Sequence, residues 1–528
     1  MLKTYIFIFK LCSYCQETPR VQAVRVDLYI IQERPLKRAD FKLMSDLRLL
    51  IVNSYDKFIS SIELPDSLCY LYWYGYPLES LPSNFFPENL VELHLPYSKV
   101  KKLWKEDQIN LSGRLKIVEI NLSGCQSLVE IPLYFQHLDK LTHLDLRDCR
   151  SLKYLPEMPG NLKCLKCTGC RKLKKLPSSS VGFISLEELE LSYSSILEIP
   201  ASIKQASRLS ILDLRWCQRL QSIPELPVLC NVKAEGCTSL KIVSSSRTAL
   251  AQGWDKPNYC YRVFTNCPKL DNNSRSNIMD EAQIAIMRMA TVAPLKYPPL
   301  PQNPRPQINF VCRGKAIPNW FSYQNEGSSV NIDLPPDWFR TSLFGFALSV
   351  VVSGVSQVRY DLRRVRANFI VIFMGECHKL FSSKYIIPDN SYDDDYFDGL
   401  NHVHVWNEAF RSEEVGKNCS PDVYKLAKEA SLVFYPVDLE ERPDSASHMK
   451  VESCGICPLY AEDAEKFKFD HVFMSREPKV EETRQDDDSG GGGSRDEPEA
   501  SGSSDESEAN ESDDHGSEAS GTENDSDF

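Results

Sequence analysis

A chain of 528 residues, 42% hydrophobic and 25% charged, has the composition of folding domains and the length for roughly three or four of them. Its net charge of -12 is uneven: Glu481–Phe528 holds 18 acidic and 2 basic residues, which leaves the first 480 residues at net +4. That near-neutral body argues against a nucleic-acid-binding protein, no run reaches the roughly 18 apolar residues of a membrane-spanning helix, and the apolar stretch after Met1 is too short for a secretory leader.

Residues 1–40 read as a lead-in, and residues 41–250 as about nine leucine-rich repeats with the template L-x-x-L-x-L-x-x-(C/S)-x-x-L-x-x-(I/L)-P. One clear copy runs Ile117, Ile120, Leu122, Cys125, Leu128, Ile131-Pro132, and others begin at Leu141 and Leu209. A form one residue shorter, with Ser at the Cys place, begins at Leu90 and Leu186. First positions fall at 47, 68, 90, 117, 141, 162, 186, 209 and 229, inside the spacing of this repeat class. Alternation puts Leu144 and Leu146 inside a solenoid and Asp145 on its concave face. A single coil cannot bury its apolar edge, so the coils stack into one core. The recurring Cys or Ser fits a tight interior corner and offers a polar atom to nearby backbone. Such placement explains many of the 18 cysteines by packing and points to reduced thiols in an intracellular compartment. The closing Pro fixes φ and keeps the convex segment from continuing as a regular helix.

Some of this wording is more specific. The run Leu68 to Phe85 (LCYLYWYGYPLESLPSNF), then Asn89 to Trp104 (NLVELHLPYSKVKKLW), and Leu122-Ser-Gly-Cys125 resemble the early repeats of plant intracellular immune receptors of the TIR-NB-LRR family. Asp40 to Leu50 resembles that family's entry into the repeats.

Residues 251–306 form a capping segment, in which apolar residues at 278, 282, 286 and 289 predict an amphipathic helix over Asn277–Ala290 that closes the open end of the solenoid. A Pro-rich linker follows from Pro294 to Pro306. Across 307–479 short alternating or apolar runs, such as Gly345 to Val352 and Ala367 to Phe373, predict an all-β sandwich. Ala316 to Val330, Leu334 to Trp338, Phe344 to Ala347 and Lys450 to Tyr460 resemble the post-LRR C-terminal jelly-roll/Ig-like domain, C-JID, of the same family. Val311 to Ala316 departs from that domain's usual Pro-Gly-Ser turn. The predicted fold is therefore an α/β leucine-rich-repeat solenoid, an all-β jelly-roll/Ig-like sandwich, and a disordered acidic tail over 480–528. Acid-flanked Ser504 and Ser507 make that tail either a solubilising segment or a phosphorylation platform.

No catalytic motif is present. The Gly-Lys pairs at 314–315 and 416–417 lack the hydroxyl residue and upstream glycine of a phosphate-binding loop, and no cofactor is implied. Cys164, Cys167 and Cys170 have a metal-like spacing, but two of them occupy interior template places. Cys454 and Cys457 fall on a predicted strand and not at a helix N-terminus, and His402 and His404 share a strand face without a third ligand. The expectation is no metal and no enzyme.

What remains is a surface. Template places 5, 7 and 8 bring Tyr72, Tyr74, His94, Tyr97, Asn121, Asp145, Arg147, Asp148, Lys166, Glu190, Tyr193, Asp213, Arg215 and Trp216 to the concave face. Tyr72, Tyr74, His94, Tyr97, Asp145, Arg147, Asp148, Tyr193, Arg215 and Trp216 are the candidate protein-binding set, because aromatics and arginines anchor interfaces, although each alone also suits a solvated strand face. The resemblance implies a disease-resistance recognition module, cytoplasmic with the nucleus as a second compartment, that binds a pathogen effector or, in trans, TIR or NB-ARC domains. It also implies that the TIR and NB-ARC portions lie outside this chain. The competing expectations are a truncated receptor remnant and an extracellular receptor-like binding protein.

Overall fold

The structure, a computed structural model, describes residues 21–27, 38–54, 59–104, 115–179, 181–227, 230–245, 259–296, 307–354, 364–387, 401–409, 421–437 and 449–465. The acidic tail and the linker from 297 to 306 lie outside those residues.

Eleven of the described strands form one parallel ladder: β1 (Ala23–Asp27), β3 (Leu49–Asn53), β5 (Tyr70–Tyr74), β6 (Glu92–His94), β7 (Glu119–Asn121), β8 (His143–Asp145), β9 (Cys164–Lys166), β10 (Glu188–Glu190), β11 (Ile211–Asp213), β13 (Asn231–Lys233) and β15 (Tyr259–Phe264). Template places 4 and 6 are buried in every full coil, as at Leu144 and Leu146 or Leu212 and Leu214. On the convex side β2 (Arg38–Asp40) pairs with β4 (Ser61–Glu63), and β12 (Ser222–Ile223) with β14 (Ile242–Val243). Single five-residue 3-10 turns begin after Pro132 and Pro200, which stand extended with φ near -65° at their N-caps, so proline opens these segments and does not set their length.

The cysteine place explains how the coils lock together. Cys125, Cys149, Cys170, Cys217, Cys237 and Cys267 each donate S–H to the place 6 carbonyl of the preceding coil, those of Leu95, Leu122, Leu146, Leu191, Leu214 and Ala234, at 3.1 to 3.2 Å. Where Ser replaces Cys, Ser98 Oγ instead accepts the Tyr76 amide at 2.9 Å. Burial pushes the Cys125 thiol up to about 12 and Cys217 up to about 11. Those two sulfurs therefore remain neutral donors.

The ladder extends past the expected 41–250 at both ends. Val24 and Val26 pair in register with Leu50 and Val52, adding a coil before Leu47. After residue 250, Arg262, Phe264, Cys267 and Leu270 take the places of Val232, Ala234, Cys237 and Leu240, which makes a tenth coil counted from Leu47. Arg262, 1% exposed, stands where the template wants leucine, and an ion pair with Glu281 of α1 (Asn272–Lys296) neutralises it. The helix is longer than the predicted Asn277–Ala290 and buries Ile278, Ala282, Ile286 and Met289 as expected. It does not close the ladder alone, because β16 (Gln307–Arg313) pairs in parallel with β15 and carries the same sheet onward.

Beyond β16 the pairing is antiparallel, in the order β16, β22 (His402–Ala409), β19 (Leu343–Ser353), β24 (Lys450–Tyr460) and β17 (Tyr323–Glu326). A second sheet runs β18 (Ser329–Asp333), β23 (Glu429–Val437), β20 (Arg364–Phe373) and β21 (Glu376–Ile386). Phe346, Leu348 and Val350 of β19 meet Phe369 and Phe434 in a core between the two sheets. Ala347 and Val351 on the opposite face join the core shared with the solenoid and α1. Both faces of β19 are covered, which is why its sequence is a continuous apolar run and not an alternation. Trp320 Nε1 donates to the Met279 carbonyl of α1 at 3.1 Å, fastening this unit to the helix.

Candidate functional site

The concave face is shaped by what happens just past each strand. The amide at place 8 donates to the place 7 carbonyl of the next coil: Tyr97 to Ser123, Gly124 to Arg147, Asp148 to Thr168, Tyr193 to Arg215, Trp216 to Glu235 and Gly236 to Thr265, at 2.6 to 3.0 Å. In all of these coils the place 8 residue has positive φ: 56° at Tyr97 and Asp148, 58° at Tyr193, 60° at Trp216, 72° at Gly124 and 71° at Gly236. Glycine adopts this conformation freely, whereas an L side chain there costs about 1–2 kcal/mol. Tyr and Trp at such places are outliers, and strain of this kind concentrates at functional sites.

Side chains and glycines alternate along the row from Tyr97 to Tyr193, after which Trp216 follows directly and Gly236 comes next. The Tyr97 ring lies over Gly124, so close that a Cβ there would stand 2.5 Å from it, and the Trp216 ring lies over Gly236 in the same way at 2.6 Å. Tyr193 stacks on Trp216 with ring centroids 6.2 Å apart and an interplanar angle of 16°. Tyr74 and Tyr97 centroids are 5.2 Å apart. Each large ring is thus held in place by the neighbouring coil.

The candidate residues fall into an aromatic cluster on early coils, an ionic middle and an aromatic cluster on late coils. Tyr97 and Tyr193 are 58% and 52% exposed, while Tyr72, Tyr74 and Trp216 are half-buried. His94 is not a surface group: it is buried against Tyr70 and Tyr72, with Nε2 3.0 Å from Glu92. Neighbouring tyrosines on the same face cover it. Arg147 and Arg215 are not free forks either. Each donates from Nε and an Nη to its own coil's Asp145 or Asp213, the shortest contacts being 2.6 and 2.5 Å. The hydrogen bond to Asp213, ahead of the burial that opposes it, holds the Arg215 guanidinium above its usual range. Asp148 is half-buried, with Oδ1 3.8 Å from Arg150. In the middle, Lys166 bridges Glu188 and Glu190 at 3.5 and 3.0 Å.

Sequence reasoning missed Tyr70, Tyr261 and Glu235. Tyr70 and Tyr261 stand at place 3, whose side chains also face the concave side. Glu235, at place 7, is 6% exposed, and its Oε1 meets no hydrogen-bond partner. Its signal was available, an acid between Ala234 and Gly236 in a row otherwise occupied by Arg215 and Thr265.

The other motifs have packing roles. Cys164, expected to face out, is buried and donates to Glu188 Oε2 at 3.1 Å, while Cys167 and Cys170 lie in the core. Cys454 is buried in β24, and burial pushes it up to about 12. His402 and His404 are both buried between the two sheets, with His404 Nδ1 3.1 Å from the Tyr385 hydroxyl, which donates to Asn309 Oδ1 at 2.6 Å. Burial first, then the charge of His402, lowers His404 to about 3, so His404 is neutral near pH 7.

The C-JID domain model matches residues 312–465, and a Leucine Rich Repeat model matches 89–108. The chain is 27% identical over 455 residues to the Inactive disease resistance protein RPS4 of Arabidopsis thaliana, an alignment covering 63% of this chain and 37% of that protein. It is 38% identical over 186 residues to Disease resistance protein RPP2A of the same plant, covering 31% of this chain and 14% of that one. With Disease resistance protein RPP2B the identity is 25% over 589 residues, covering 77% and 47%. The chain therefore spans less than half the length of these relatives. No described helix is long and apolar enough to cross a membrane. Repeat register, C-JID match and these relatives agree that the chain holds leucine-rich repeats and a C-JID domain and is similar over them to plant disease resistance proteins.

Proposed function

We propose that the chain recognises a protein ligand, a pathogen effector, on the concave face of its solenoid, with the surface of the C-JID unit as a second contact region. The two-sheet unit is read here as the jelly-roll/Ig-like sandwich of that domain. Recognition is binding without a chemical step, and TIR or NB-ARC domains, in trans or in a longer protein, turn it into signalling. The described cysteines are all free thiols, which favours a reducing compartment, the cytoplasm with the nucleus beside it.

The observation that carries this reading is the row of Tyr97, Tyr193 and Trp216, bulky rings kept at positive φ and pinned by their neighbours. A ring already fixed in place loses little freedom on docking, so its buried area converts efficiently into affinity. The test is a binding panel of effector proteins and isolated TIR and NB-ARC domains against the wild type and a Tyr97→Ala/Tyr193→Ala/Trp216→Ala variant. A partner held by the wild type and lost by an equally folded variant supports the reading. A partner bound equally by both removes the concave face from recognition.

A further inference from the structure

Glu235 is a buried carboxyl on a surface read as a docking face, and the two cations that act on it, Arg215 and Lys233, are engaged elsewhere. Arg215, in the preceding coil, spends Nε and Nη2 on Asp213 at 2.5 to 3.1 Å. Lys233, in the same coil, lies with Nζ 5.5 Å from the centroid of the Tyr261 ring. Glu235 Oε1 is sealed from solvent with no donor, an arrangement that is costly for a carboxylate unless something completes it. Beside it, the Trp216 ring covers Gly236 and is itself stacked on Tyr193. A carboxylate next to the glycine that the Trp216 ring covers suits a guanidinium or ammonium group, which gains an ion pair and a ring face together.

We propose that Glu235, with Trp216, receives a cationic side chain, arginine or lysine, presented by the protein partner. This rests on the reading of the concave face as the recognition surface and names the chemistry recognised there. The site is also proton-linked. Burial pushes Glu235 up to about 7, against the pull of Arg215; Asp213 adds to the rise and Lys233 opposes it. Tyr261, across on β15, is half-buried and neutral near pH 7, its own ionisation pushed upward by burial. Docking of a cation at neutral pH therefore expels the proton that Glu235 holds in part of the molecules, and that proton passes to the buffer.

The test uses the full chain and a tri-arginine amide peptide, followed by titration calorimetry at pH 7 in phosphate and in Tris, whose ionisation enthalpies differ. The wild type should release about half a proton per site and bind about tenfold more tightly at pH 8 than at pH 6. Glu235→Gln should bind several-fold more weakly at pH 8 and release no proton. The acidic residues of 481–528 take up peptide in both proteins, so the difference between the two isolates the site. A tri-citrulline peptide should show no difference between them. Equal affinity or equal proton release in wild type and Glu235→Gln would overturn the proposal. Thermal unfolding confirms that the variant is folded, and Glu235→Ala repeats the comparison without the amide. Because no natural partner is involved, failure here leaves the recognition reading standing, and loss of that reading leaves this result interpretable.

Discussion

Gly236→Ala isolates how firmly the aromatic row is held. Two terms oppose the new methyl group. The backbone at φ +71° is one that alanine enters at a cost of about 1–2 kcal/mol. The Cβ would also stand 2.6 Å from the Trp216 ring, and forcing such a contact apart costs about 1–3 kcal/mol. The sum is about 2–5 kcal/mol. The protein contains its own control: Gly327, at φ +86°, has nothing within 4 Å of its Cβ position, so Gly327→Ala meets only the backbone term of about 1–2 kcal/mol. Urea unfolding followed by far-UV circular dichroism measures both, and Gly236→Ala in a Trp216→Ala background should fall back to the control value. If Gly236→Ala proves as mild as Gly327→Ala, the ring is not pinned and the rigidity attributed to this row is wrong.

Removing one partner of the Arg262–Glu281 pair, as in Arg262→Ala, should destabilise by about 3–5 kcal/mol, whereas Arg262→Met with Glu281→Leu should recover most of that in the same assay. Among the described cysteines a thiol reagent should under native conditions modify exposed Cys377 first, and the buried ladder cysteines should react only when the chain unfolds, which mass spectrometry of labelled peptides can resolve. Glu235 also sets a pH dependence of stability. Its folded pKa of about 7 lies above the ordinary glutamate value, so the native state gains relative stability from the protonated form at low pH and loses it as pH rises towards and through 7. The loss is on the order of 3 kcal/mol by pH 8, and Glu235→Gln should flatten that part of the profile. His404 acts at the other end: its folded value of about 3 lies below the ordinary one, so stability present above pH 6.5 falls as acid is added towards pH 3.

The repeat register was legible because each coil repeats one physical problem. Leucines at places 4 and 6 must be inside, and a small donor at place 9 must reach the coil before it, as Cys149 reaches Leu122. The coil at 259–270 was obscured by a single residue, since Arg262 breaks the leucine pattern and only its distant partner Glu281 makes it tolerable. The passage from β15 to β16 was hidden for a similar reason: strand pairing across an intervening helix leaves no local mark. At the site, the template identified which residues face the groove but not how they interact. His94 is covered by tyrosines, and Arg147 and Arg215 are turned onto aspartates two residues back, which the repeated Asp-Leu-Arg wording at 145–147 and 213–215 could have disclosed. The positive φ at place 8 was written in the glycines of that row, while the tyrosines and tryptophan sharing the place conceal it.

The most direct test of concave-face recognition is hydrogen–deuterium exchange of the chain with and without a bound effector protein. Protection should concentrate in peptides spanning 92–97, 188–193, 211–216 and 231–236, which carry the aromatic row and Glu235. Protection confined to the convex strands at 222–223 and 242–243, with the concave peptides unchanged, would contradict the account.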